Sequence, residues 1–362
     1  MTLQLNPQRF FGEVSGQPVA LFRLRHASGM EVAVCNLGAK VLQVLVPDRR
    51  GHLSDVTLGY DSLAALQAGA PSMGAFIGRY AGRLGLASYT MDGVQYPLDA
   101  NAGGHSLHGG PNGSRYRVFS ACQPAPNAIT LRLRFEPSSD RHPGTLDLQL
   151  SYRLIDGHTL EVEHEAVAVC HASPASPASF TPHIFFNLDG PGTTTVDGHH
   201  LQVLADGLLA ADSDNVATGE RTPLYGHPLD LRKPQRLGDL PALDHAYELA
   251  GRATPTPLRR VARAHSPASD RTLEVWTTEP ILQVYTADSL GRGGNLPDVG
   301  KQGVVYRPRA GMCLEPQQYP NAPNCPAFPL NRVAPGLPYR ACTHYRFGLM
   351  NQEAECFSGV SE

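Results

Sequence analysis

Charge is scarce in this 362-residue sequence: Asp, Glu, Lys and Arg make up only 17%, and they nearly balance at a net −3. That excludes the basic stripe of a nucleic-acid binder and the cationic face that docks on anionic lipid. No apolar run approaches the length needed to span a bilayer. Met1 to Phe11 has no basic region followed by an apolar core, so no secretory signal is expected there. The seven cysteines, at 35, 122, 170, 313, 325, 342 and 356, are odd in number, scattered, and never spaced C-x-x-C. They read as reduced thiols of a cytoplasmic protein, not as a disulfide framework or a zinc site. No histidine pair has H-E-x-x-H spacing, and adjacent His199 and His200 point to opposite faces of a strand, so no metal is expected. Gly291-Arg292-Gly293-Gly294 is glycine-rich but lacks the strand before and helix after that a nucleotide loop needs. Internal repeats and low-complexity linkers are also missing.

What is abundant is turn chemistry, with 36 glycines and 31 prolines, the composition of short strands joined by tight turns. Val19 to Leu24 and Met30 to Val34 read as a hairpin around His26-Ala27-Ser28-Gly29. Lys40 to Val46 is a further strand. Ser62 to Gln67 is one of few helical candidates, and Asp92-Gly93 turns one short strand into another. Ile129 to Phe135 alternates cleanly, with Leu131, Leu133 and Phe135 on one face and Arg132 and Arg134 on the other. Leu146 to Leu154 does the same, and Leu160 to Glu163 follows an Asp156-Gly157 turn. One-sided strands of this kind belong to antiparallel sheets with one wet face. Thr193 to Leu204, Thr272 to Thr277 and Ile281 to Thr286 are later strands, His171 to Ser179 is a small-residue loop, and Arg252 to Ser269 reads as a surface connection. The expected fold is all-β: residues 1–362 form a single large antiparallel β-sandwich domain.

Two stretches carry chemistry. Phe180 to Leu188 is an extended apolar run that holds one imidazole, His183. Pro182 biases Thr181 away from helix, so the run enters as a strand. His183 and Phe185 then share one face, while Ile184 and Phe186 share the other. A histidine beside an aromatic ring is partly desolvated, and its charge responds to small changes near neutral pH. The bland alternative is a core histidine bonded to a backbone carbonyl. The second stretch, Gly311 to Gln317, ends an apolar run on the lone carboxylate of Glu315. An acid and a base on two strands of one sheet can transfer protons in concert.

Weaker signals surround these. Gly78 to Leu84 sets Arg79 and Arg83 beside glycines, where solvated surface arginines are the plain reading. Leu107-His108-Gly109-Gly110 puts a histidine where backbone can approach a ligand closely, or in an ordinary turn. Asp244 and His245 stand side by side, with a hydrogen-bonded structural Asp as the alternative. Gln283 lies mid-strand in an apolar run, where a buried amide must find partners, and a sugar hydroxyl is one.

In this order the pieces resemble the aldose 1-epimerase (galactose mutarotase) family. The matching residues are Gly78 to Arg83, Asp92-Gly93 with Tyr96 and Leu98, Asn101 with Leu107 to Gly110, and Thr181 to Leu188. They continue through Leu243 to His245, Thr277 to Pro280 with Gln283 to Thr286, and Leu314 to Gln317 with Tyr319 to Asn324. The resemblance runs from about Phe11 to Phe347. It implies a supersandwich with a cleft for a free aldose such as galactose or glucose, no cofactor, and interconversion of α and β anomers. It puts the catalytic acid at His183 and the base at Glu315, and sugar-binding roles at Arg83, His108, Asp244 and Gln283. A nearby carboxylate, Asp244 or Glu315, is then expected to favour the imidazolium form of His183. The partner is a small-molecule substrate, with no nucleic acid or membrane, and the enzyme is a monomer or homodimer. The sequence departs from the family at Gly82, Pro182, Phe185 and Asn321, where Asn, Asn, Tyr and Asp are frequent; Gly82 and Phe185 remove polar groups near the sugar. Two alternatives are a hexose-6-phosphate 1-epimerase, which needs a basic cluster beyond Arg79 and Arg83, and a non-catalytic sugar-binding protein on the same fold.

Overall fold

A computed structural model describes residues 4–171, 173–191, 194–251, 256–291 and 298–350. Cys356 and most of the Gly291 to Gly294 stretch lie outside them.

The long alternating segments build a nine-stranded antiparallel sheet. Its order is 120–125, 128–135, 146–155, 159–168, 339–349, 271–277, 259–265, 200–203 and 235–236. Along Ala128–Phe135 the burial alternates as the sequence requires, with Leu131 and Phe135 fully buried and Arg132 and Arg134 exposed. Leu146–Ile155 repeats the pattern and pairs residue for residue with Thr159–Ala168. A six-stranded sheet, in the order 185–186, 312–317, 281–285, 244–249, 205–211 and 217–223, packs against it beside a four-stranded sheet of 21–25, 31–35, 40–47 and 53–55. One apolar cluster fills the space between the layers, taking Leu148, Leu150, Val275 and Tyr345 from the large sheet and Val32, Val44, Leu282 and Leu314 from the others. Tyr345 Oη donates to Leu314 O at 2.9 Å and Tyr152 Oη to Ala39 O at 3.0 Å, so two buried hydroxyls stitch the layers together. This is an antiparallel β-sandwich.

The local readings hold where turn chemistry decides. The hairpin closes with Leu21–Arg25 against Glu31–Cys35. Ser62 caps the helix Leu63–Ala68 by accepting from Ala65 N. Asp92 and Gly93 both take positive φ, 53° and 78°, as a tight two-residue hairpin requires. Other expectations fail. Arg259–His265 is not a surface connection but a strand between 200–203 and 271–277. Its arginines mask a period-2 pattern in which Val261, Ala262 and Ala264 are buried around a register shift between Arg260 and Ala262. A shift of one residue moves side chains to the other face, so simple alternation is lost. The loop expected at His171 to Ser179 also carries a two-residue strand, Ser176–Pro177, paired with Arg332–Val333.

Candidate active site

Three neighbouring strands present one polar face. Gln283 lies directly opposite Glu315 on one side and Ala246 on the other. Asp244 is two residues from Ala246, so Glu315, Gln283 and Asp244 share that face. Gln283 Nε2 donates to Asp244 Oδ1 at 2.7 Å, and Asn215 Nδ2 donates to Asp244 Oδ2 at 2.5 Å. Arg83 Nη1 stands 4.0 Å from the same carboxylate.

His183 reaches this face from the strand edge. Its N–H donates to Ala75 O at 2.8 Å and its carbonyl accepts from Gly74 N at 2.9 Å, which fixes its backbone. The imidazole stacks on Phe185, with centroids 5.1 Å apart and planes 13° from parallel, as the shared-face reading requires. Ile184 and Phe186 turn the other way, into the main core. His183 Nε2 is 3.7 Å from Glu315 Oε2.

His108 is placed by a short pairing of Arg83–Leu84 with Ser106–Leu107. Its N–H donates to Gly82 O at 3.0 Å, and its Nδ1 accepts from Gly82 N at 3.2 Å. That bond leaves the proton of the neutral ring on Nε2. Gly82 holds φ +79°, and a Cβ there would come 3.1 Å from Pro320 Cβ. The glycines after His108 do not meet a ligand. A Cβ on Gly109 would lie 2.2 Å from Gly78 O, so the close approach is to the chain's own backbone.

All six predicted site residues, His183, Glu315, Arg83, His108, Asp244 and Gln283, line one cavity of about 460 Å³. Arg79 is elsewhere: it is fully buried and paired with Asp140. Asn321 is structural, since Nδ2 donates to Ala217 O at 2.8 Å and Oδ1 accepts from Gly85 N at 3.0 Å. Arg115, Asn215 and Gln317 also line the cavity and escaped the sequence reading. Gln317 was findable, two residues beyond Glu315 on the same strand face. Its Nε2 is buried without a partner. Nothing near Arg115 or Asn215 in the chain points to them. A wider groove of about 830 Å³ passes Glu279, but Gln318 and Tyr339 already donate to that carboxylate. Beside the cavity, by contrast, His183 Nδ1 and Glu315 Oε2 are buried with no hydrogen-bond partner. Unpaired buried polar atoms are costly in a folded protein, and here both belong to groups able to carry a proton.

Burial dominates the electrostatics. It pushes His183 down to about 3, and Arg115 adds to the effect. It holds Glu315 well above the usual carboxylate range, with Asp244 adding to the rise. The expectation that a carboxylate favours the imidazolium is therefore corrected: desolvation of His183 dominates, and the Arg115 cation adds to it. Both shifts favour the neutral forms, so a single proton on the pair rests on Glu315 rather than on His183. The acid is lost when that proton leaves as pH rises, and the base is lost when a second proton arrives as pH falls. The expected kcat/KM profile is a bell whose alkaline limb follows the raised carboxyl. Its acid limb should lie below the ordinary imidazole value of about 6.5. Retention of at least about half the pH 7 value at pH 5 is expected; a fall through pH 6 would assign the acid limb to an unperturbed histidine.

His183, Cys313 and Glu315 each offer a donor atom within 4.8 Å of the others. Burial raises the Cys313 thiol well above its ordinary value and so disfavours the thiolate a metal needs. No helix of the described residues is long and apolar enough to cross a membrane.

The comparisons with known proteins agree with this fold. The sequence model of the family described as aldose 1-epimerase matches residues 20–346. Human galactose mutarotase is 35% identical over 351 residues, covering 94% of this chain and 97% of that protein. The aldose 1-epimerase of Escherichia coli K12 is 30% identical over 346 residues, covering 92% and 96%. Among solved structures, an aldose epimerase homologue from C. elegans superposes with a TM-score of 0.84 at 27% identity, covering 92% of this chain and 100% of that one. The galactose 1-epimerase of Lactobacillus acidophilus gives 0.78 at 23% identity, covering 94% and 98%, and supports the fold alone. The chain belongs to the aldose 1-epimerase family.

Proposed function

We propose that this isomerase interconverts the α and β anomers of free aldoses such as galactose and glucose by acid–base ring opening and reclosure. The observation that carries the reading is the unpaired couple of His183 and Glu315, 3.7 Å apart on the wall of a cavity roomy enough for a monosaccharide. In the ion-pair form, Glu315 takes the proton of the C1 hydroxyl and His183 gives one to the ring oxygen. The bond from C1 to the ring oxygen breaks and a C1 carbonyl forms. The pair is now neutral, the form that burial favours. Rotation about C1–C2 exposes either carbonyl face. Reclosure returns the proton of Glu315 to the carbonyl oxygen, while His183 recovers the one on the attacking hydroxyl. Arg83, Asp244 and Gln283 hold the other hydroxyls so that the ring oxygen faces His183, and His108 donates through Nε2.

All six residues come from one chain, so a monomer or homodimer suffices. The chain acts as one domain, consistent with an apolar cluster that draws on residues from Leu24 to Phe347. A cytoplasmic setting is consistent with the free thiols of the six described cysteines. A sugar-binding protein without catalysis has no use for two unpaired proton carriers.

Polarimetry of freshly dissolved α-D-galactose, α-D-glucose and pentoses tests the reading. Faster approach to anomeric equilibrium with protein present is expected for each sugar. A hydrogen bond to a hydroxyl is worth roughly 0.5–1.5 kcal/mol net, and Gly82 and Phe185 withhold one or two. A preference of about a thousandfold for one aldose would contradict this, and no acceleration of any sugar would sink the assignment itself.

A further inference from the structure

Four lysine or arginine side chains are buried among the described residues: Lys40, Arg79, Arg115 and Lys301. Two have the counter-charge that burial demands. Arg79 meets Asp140 at 2.8 Å and Lys301 meets Asp55 at 2.6 Å. Lys40 and Arg115 have none among the described residues. Their N–H groups go to neutral acceptors. Lys40 Nζ donates to Pro71 O at 2.8 Å. Arg115 donates to Ser72 Oγ at 2.8 Å and to Leu107 O at 3.2 Å, and its Nε has no partner. The two residues are neighbours: a Cβ on Gly38 would come within 2.9 Å of Lys40 Cε and 2.7 Å of Arg115 O.

Pro71, Ser72 and Arg115 all line the substrate cavity, with Lys40 directly behind Pro71. The charge of Arg115 is felt at His183 and at His108, so it bears on the reacting end of the cavity. Burial holds Lys40 down to about 8, and Arg115 opposes its charge as well. Neutral donors could tether Pro71 and Ser72 without desolvating two like charges. Buried charges are ordinarily paired, and an uncompensated one is strongly unfavourable. The Tyr116 ring lies 4.9 Å from the Arg115 guanidinium and offers π-electrons but no counter-charge; the missing partner is an anion, and Arg115 is part of the cavity lining.

We propose that the end of the cavity at Ser72 and Arg115 is an anion subsite, and that the aldoses this enzyme turns over include ones bearing a carboxylate or a phosphate. The proposal rests on the epimerase reading of the same cavity. It also supplies the basic cluster that Arg79, paired inside the fold, does not.

Initial rates of anomerisation above the spontaneous background decide it, measured for glucose, glucuronate and glucose 6-phosphate in a low-salt sulfonate buffer. At least a tenfold higher kcat/KM for one of the anionic sugars than for glucose is expected, and the sugar that gains identifies carboxylate or phosphate as the source. Arg115→Met should cut the ratio of anionic to neutral kcat/KM at least tenfold, while Arg115→Lys keeps most of it. Should the Met variant not fold, the parent protein still answers: inorganic sulfate should inhibit glucose turnover competitively at millimolar concentration. Acceleration of glucose with no anionic preference and no competition by sulfate overturns the subsite alone. Acceleration of none of the three sugars overturns both the subsite and the epimerase reading.

Discussion

Glu315→Gln is expected to lower kcat by about 10²–10⁴-fold with little change in KM. The amide keeps the size of the side chain and one acceptor but cannot take the C1 hydroxyl proton. His183→Asn should cost a similar factor by removing the other proton carrier. The double variant should lose little more than either single one, because a concerted transfer fails once either end is missing. Stability should change little, because burial already holds the Glu315 carboxyl toward its neutral form. A thermal midpoint close to that of the parent together with a collapse in kcat separates lost chemistry from lost folding. If Glu315→Gln kept more than about half of the parent kcat, Asp244 would be the next carboxylate to test.

Arg79→Met should have the largest effect on stability. The Arg79 side chain is fully buried and every donor nitrogen is used. Nε and Nη2 grip Asp140 at 2.8 and 3.1 Å, and Nη1 reaches Pro143 O, Gly144 O and Ser176 Oγ at 2.9, 2.8 and 3.1 Å. Methionine fills much of the volume but strands the Asp140 carboxylate and two carbonyls. Breaking a buried pair from one side costs about 3–5 kcal/mol. The loss should appear as a lower urea midpoint at unchanged slope. Arg79→Lys should recover little, because an ammonium cannot reproduce the bidentate fork. A variant of normal stability with KM raised tenfold or more would instead assign Arg79 to the sugar site.

Much of this molecule is written in local sequence. Alternation along Ile129 to Phe135 and Leu146 to Leu154 specifies strands with one buried face, because side chains in a strand have period 2. Ser62 and Asp92-Gly93 mark a helix start and a tight turn through their own hydrogen bonds and φ preferences. The stacking of His183 on Phe185 follows from the same alternation. These features need only neighbours in the chain, and so they can be read without the fold. Where a register shift interrupts the period, as in Arg259–His265, the reading failed.

The rest needed three dimensions. Arg79 and Arg83 are four residues apart in one glycine-rich stretch, yet one is an internal clamp and the other faces the cavity. Only the packing of residues 137–144 and Ser176 around Arg79 decides that. Asp244, Gln283 and Glu315 meet because the pairing of three strands sets their register, a long-range property that no single strand encodes. Arg115, Asn215 and Gln317 join them from separate parts of the chain. The charge state of His183 and Glu315 is likewise tertiary. Residue type alone gives His183 and Glu315 their ordinary values, whereas desolvation by the assembled sandwich drives the two in opposite directions, because a low-dielectric surrounding penalises whichever form is charged.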